Sequence, residues 1–93
     1  MKVLVCEDDV IIRMATVDML NELGHAVIEA GDAKTALAML AAEPVDIFMT
    51  DVGLPDMSGV ELAAKARAER PALPVIFATG RSEDGGIPNG PSI

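Results

Sequence analysis

The sequence predicts an α/β domain, an open, doubly wound parallel sheet with helices on both faces. Three observations carry that reading. Short apolar runs rich in β-branched residues recur at residues 3–6, 26–28, 45–49 and 75–78. Most of them are continuous rather than alternating, which marks strands covered on both faces. The stretches between them hold apolar residues at helical spacing, and parallel strands need such crossovers, which are nearly always right-handed.

The elements follow in order. The first run ends in Glu7-Asp8-Asp9. Ile12, Ala15, Thr16, Met19, Leu20 and Leu23 then repeat at i, i+3, i+4, i+7, i+8 and i+11, and Gly24 stands where a helix-ending glycine belongs. After the second run, Asp32 is the expected N-cap of a helix with Ala33, Ala36, Leu37, Leu40 and Ala41 on one face, closed before Pro44. The third run ends in Thr50-Asp51. Ser58 and Glu61 have capping-box spacing, and open a third stripe of Gly59, Leu62, Ala63 and Ala66 that Pro71 and Pro74 terminate. The fourth run leads into Thr79-Gly80. The expected division is a β-α-β-α-β-α-β domain over residues 1–80 and an irregular Gly/Pro-rich tail over 81–93.

Composition narrows the class. Ninety-three residues bound the chain to one domain. Although 51% of residues are apolar, no run nears the ~20 needed to span a membrane as a helix. Phe48 and Phe77 are the only aromatics, so the core must be aliphatic. The N-terminus enters an apolar run at once, and no signal peptide is expected. A single cysteine, Cys6, excludes an internal disulfide framework and fits a reducing, cytoplasmic location. The formal charge of −8 argues against nucleic acid or anionic membrane as a direct partner.

Doubly wound sheets commonly take the flavodoxin-like order 2-1-3-4-5 or the dinucleotide-binding order 3-2-1-4-5-6, with sites beyond the carboxyl ends of the strands at the switch point. In the first order, strands one and three are neighbours, and Glu7, Asp8 and Asp51 converge. Clustered carboxylates repel, and a hard divalent cation with oxygen ligands relieves them. Few carboxylates and an open site suit Mg²⁺ better than a caged Ca²⁺. Thr79, one strand over, can donate into the same crevice. The implied chemistry is carboxylate attack on phosphorus beside a metal.

Val5-Cys6-Glu7-Asp8-Asp9, the run from Thr50-Asp51 through Leu54-Pro55 to Ser58-Gly59, and Pro74 through Thr79-Gly80 together resemble the receiver domain of two-component response regulators. The resemblance implies that Asp51 is the phosphoacceptor, Asp8 a direct metal ligand, and Glu7 a second acid reaching the metal through water. It implies the backbone carbonyl of Gly53 as the remaining protein ligand. Thr79 is implied as the switch hydroxyl, and Pro55 and Gly59 as loop-shaping residues. Asp9 is the ambiguous one: register with the strand makes it the third acid, facing the first helix. The implied cofactor is Mg²⁺, with Mn²⁺ as a substitute. The implied partners are a sensor histidine kinase or phosphotransfer protein and a downstream protein. The function implied is a signalling switch rather than a turnover enzyme. The Phe77-Ala78-Thr79-Gly80 ending further resembles a subgroup of stand-alone receivers.

One departure is large. A full receiver continues into a fifth strand bearing a lysine and a fifth helix, whereas no lysine follows Lys65 here. The expectation is therefore the order 2-1-3-4 with strand five and helix five missing. The edge of strand four would then be unpaired, and dimerisation through it is one outcome.

Plainer roles compete at each position. Acidic residues after a strand are often helix N-caps. Cys6 reads as a small core residue, His25 as a solvated turn residue, and the methionines as core filler. Gly85-Gly86 and Gly90 lack the Gly-Lys-Ser/Thr that a phosphate loop requires. Two rival functions remain in view. A haloacid-dehalogenase-like phosphatase wants an aspartate two residues after its nucleophile, where this chain has Gly53. A pseudo-receiver would dock partners without taking phosphate, but a docking module has no need of clustered like charges.

Overall fold

The computed structural model describes residues 1–78. Thr79, Gly80 and the tail over 81–93 lie outside the described residues, as does any strand beyond the fourth. Seven elements follow the expected order: β1 (Lys2–Cys6), α1 (Val10–Glu22), β2 (Ala26–Ala30), α2 (Ala33–Ala42), β3 (Ile47–Thr50), α3 (Gly59–Glu69) and β4 (Val75–Phe77). The strands form one sheet in the order β2-β1-β3-β4, all pairs parallel. This is the flavodoxin-like arrangement expected from the sequence.

Continuous apolar runs produce it because β1 is buried on both faces. Val3 and Val5 point to one side with Leu20 of α1, while Leu4 and Cys6 point to the other, toward Ala33, Ala36, Leu40, Phe48, Leu62 and Ala66. Thus α1 covers one face and α2 with α3 the other, which is what double winding means in side chains. Phe48 and Leu62 are fully buried, each worth about 1.5–3 kcal/mol over an exposed position.

The helix ends are built as their sequences foretell. Asp32 accepts the N–H of Thr35 at 2.7 Å, and Ser58 Oγ that of Glu61 at 3.1 Å. A cap of this kind stabilises by ~1 kcal/mol. The reciprocal half of the capping box, from the Ser58 N–H to the Glu61 carboxylate, is not formed among the described residues. Gly24 has φ +94°, the left-handed conformation that ends α1. Arg70, at the end of α3, donates to the carbonyls of Leu40 and Glu43 and so closes the C-terminus of α2.

The stripe on α1 meets less of the sheet than its spacing implies. Leu20 is buried, but Leu23 is 65% exposed, and Ile12 and Met19 are exposed as well. The reason is geometric: among the described residues α1 packs chiefly on β2 and β1, and its apolar arc passes beyond them toward β3. There a groove of about 180 Å³ opens between Ile12 and Thr16 of α1 and Val5, Met49 and Ala78 of the sheet.

Candidate functional site

The register brings the acids together. Cys6 pairs with Thr50, so the residues that follow them, Glu7 and Asp51, leave adjacent strands side by side. The Asp51 N–H donates to the Cys6 carbonyl at 3.0 Å, which extends the β1–β3 ladder into the site. Oxygens of Glu7, Asp8 and Asp51 all lie within 4.8 Å of one another. The structure therefore groups these residues at the carboxyl end of the sheet.

Their surroundings differ. Glu7 is buried, Asp51 half-buried and Asp8 exposed. Burial pushes the Glu7 carboxyl above its ordinary range; the Asp9 N–H, bonded at 2.9 Å, opposes this, and the charges of Asp51 and Asp8 add to it. Asp51 Oδ1 accepts the N–H of Val52 at 2.8 Å, which fixes the rotation of that carboxylate. Among the described residues, no lysine or arginine forms an ion pair with any of the three. An all-oxygen donor set, one member buried and resisting ionisation, with no cationic partner among the described residues, fits a hard divalent ion.

The other expected residues fall as follows. Asp9 caps α1, its Oδ1 accepting from Ile11 at 2.9 Å and Ile12 at 3.1 Å. Its carboxylate faces the first helix, apart from the grouping of Glu7, Asp8 and Asp51. Gly53 bridges Ser58, and the Gly59 N–H donates to the Val52 carbonyl at 2.6 Å, closing the loop at its base. Leu54 and Met57 of this loop press on the core beneath, with Pro55 exposed between them. Cys6 donates to the Asp32 carbonyl at 3.4 Å, and burial pushes its thiol up to about 12. It stays protonated, as a core residue does.

Two residues contribute that sequence reasoning passed over. Arg13 donates to the Glu7 carbonyl at 2.7 Å and pairs with Glu29 at 3.2 Å, tying the turn after β1 to β2. Asp56 reaches from the loop after Asp51 to the start of α2. An arginine interrupting the apolar run from Val10 to Ala15 was a usable signal for the first. Nothing local marks the second.

Comparisons with known proteins point to one family and one fold. The profile of the response regulator receiver domain matches residues 3–88. The two-component response regulator PhoP of Pseudomonas aeruginosa is 36% identical over 81 residues, covering 87% of this chain and 36% of PhoP. The chain thus spans about a third of that relative's length. Among solved structures, a CheY-like response regulator receiver domain protein from Methanospirillum hungatei superposes with TM-score 0.82 at 35% identity, over 85% of this chain and 63% of that one. The response regulator TrrA of Thermotoga maritima, solved in complex with Mg²⁺-BeF, superposes with TM-score 0.83 at 25% identity, over 89% of this chain and 74% of that one.

Proposed function

The chain belongs to the response regulator receiver family of two-component systems, and from that premise we propose that it takes a phosphoryl group onto Asp51 and signals by protein contact. The observation that carries this is the grouping of Asp51 with Glu7 and Asp8 at the ends of β3 and β1. The donor is a phosphohistidine on a sensor kinase or phosphotransfer protein. An Asp51 oxygen attacks phosphorus, the bond from phosphorus to imidazole nitrogen breaks, and the electron pair leaves with the imidazole. Water later opens the acyl phosphate, which returns the carboxylate and free phosphate.

The chain's own residues do mostly positioning. The Val52 N–H holds the carboxylate in one rotation, and the closed loop holds the Gly53 carbonyl. Asp8, Asp51 and that carbonyl would hold Mg²⁺, or Mn²⁺ in its place, with Glu7 acting through water. Bound there, the ion offsets charge on the transferring oxygens. Thr79, beyond the described residues, is the proposed switch hydroxyl. Its turn toward the phosphoryl group would bias the surface that a downstream protein reads. Dimerisation through β4 belongs to the same proposal, since Ile76 and Phe77 are 46% and 41% exposed there.

The test is labelling by a small acyl-phosphate donor, read by intact mass. One hydroxylamine-sensitive phosphoryl adduct is expected with Mg²⁺ and none with chelator; labelling that ignores Mg²⁺ would overturn the reading. The ligand assignment has its own test. At ten times its Kd, Mg²⁺ should raise the melting temperature by roughly 5–10 °C. Asp8→Ala should melt higher than wild type in chelator, because one repelling charge is gone, and respond little to Mg²⁺. An undiminished response would show that Asp8 is not a ligand.

A further inference from the structure

Asp56 lies at the tip of the loop between β3 and α3, exposed to solvent, and would pass for an ordinary loop carboxylate. Its contacts say otherwise. Oδ1 accepts the N–H of Ala33 at 3.0 Å, and Oδ2 the N–H of Lys34 at 3.0 Å. Both are first-turn donors of α2, which helix geometry leaves without partners inside the helix. Asp32, the helix's own N-cap, satisfies a third at Thr35. One helix start is thus completed by two aspartates, one local and one carried in from the loop that follows Asp51.

The anchor is firm. Ala33, Ala36 and Leu40 bury α2 in the core, so its first turn cannot follow a drifting loop. The loop is meanwhile shut at its base by the Gly53–Ser58 bridge and the Gly59-to-Val52 bond, and Leu54 and Met57 hold its flank. Among the described residues, Asp56 supplies the hydrogen bonds that join the tip to α2. The Ala33 N–H, ahead of the other donors, holds the Asp56 carboxyl below the usual aspartate range, so both bonds are charge-assisted at neutral pH.

We propose that Asp56 is a positioning residue for the Asp51 site: pinned to the first turn of α2, it fixes the loop that carries the Gly53 carbonyl and couples movement of that loop to α2. The inference rests on the reading of Asp51 and Gly53 given above. It makes α2 a second place, away from the phosphorylated carboxylate, where occupancy of the site is felt.

The experiment is a Mg²⁺ titration of the protein followed through backbone amide resonances, in wild type, Asp56→Ala, Asp56→Asn and Asp32→Ala. Outer-shell partners of a metal site typically change affinity 10–100-fold, so Asp56→Ala should weaken Mg²⁺ about tenfold. In wild type the Ala33 and Lys34 amides should shift with the Gly53 amide as Mg²⁺ is added, and in Asp56→Ala they should not. Asp56→Asn keeps one acceptor oxygen while losing the charge, and should recover part of the affinity. It carries the test alone if the alanine variant fails to fold. Asp32→Ala removes an equal charge and a cap from the same helix without touching the loop. It should lower the melting temperature and leave Mg²⁺ affinity unchanged. Wild-type affinity in both Asp56 variants would overturn the positioning role, and so would equal weakening by Asp32→Ala. A wild-type protein that bound no Mg²⁺ would overturn the site reading and this inference together.

Discussion

Asp51→Asn is expected to take no phosphoryl adduct at all, while melting no lower than the wild type in the absence of Mg²⁺. The two halves of this result have separate causes. An amide carries no negative charge and is a poor nucleophile toward phosphorus, so the reaction loses its attacking group rather than a supporting one. The substitution is otherwise nearly isosteric, and the side-chain carbonyl can still accept the Val52 N–H. Folding should even benefit. Glu7 has its carboxyl raised by burial first, and the charge of Asp51 adds to that. A raised acid costs stability once ionised: the cost is absent below the ordinary Glu range and complete above the folded value. Wild-type protein in chelator should therefore lose stability as pH rises through that window, and Asp51→Asn should lose less. Intact-mass labelling and melting curves in chelator measure both. An adduct of wild-type yield on Asp51→Asn would place the acceptor elsewhere.

Gly59→Ala should destabilise the fold and disorganise the site together. Propensity argues the reverse, though less at this first helical position than in a helix interior, where alanine is favoured over glycine by about 1 kcal/mol. The backbone of Gly59 is not in the left-handed region, so conformation does not demand glycine. Space does. A Cβ there would collide with the backbone carbonyl of Asp51 and with Cα of Val52, which lies 2.8 Å away. Backbone atoms cannot rotate aside as a side chain can. Relief would require opening the loop, at the expense of the Gly59-to-Val52 bond and the Gly53–Ser58 bridge. Overpacking of this kind costs about 1–3 kcal/mol, which for a domain of this size lowers the melting temperature by roughly 5–20 °C. Acyl-phosphate labelling should fall with it, since Asp51 and Gly53 both sit on the displaced loop. A melting temperature equal to or above wild type would refute the steric reading.

Much of the site was legible because its signals are local. An acid that ends a strand is visible one residue after an apolar run, and Asp51 and Glu7-Asp8 were found that way. Asp32 and Ser58 announce helices by the residues within three positions of them. The reading of α1 was weaker. Spacing identifies an apolar arc but not how much of that arc a sheet will cover, and Ile12, Met19 and Leu23 remain exposed. Asp9 shows the same limit from the other side. Its letter fits both a third site acid and a helix cap, and only the direction of its carboxylate toward Ile11 and Ile12 separates them.

By itself the sequence determined the order of elements, the parallel sheet and the identity of the acids at its carboxyl end. Apolar period, caps and turn residues act over a few positions, and the right-handed crossover leaves few ways to assemble them. Tertiary structure alone decided what depends on which strands become neighbours. It set the burial that raises Glu7, the reach of Arg13 across to β2, the crowding that demands glycine at 59, and the grip of Asp56 on a helix that precedes it in the chain. Each of these joins segments distant in sequence. Their energies arise from separation in space, which no spacing along the chain encodes.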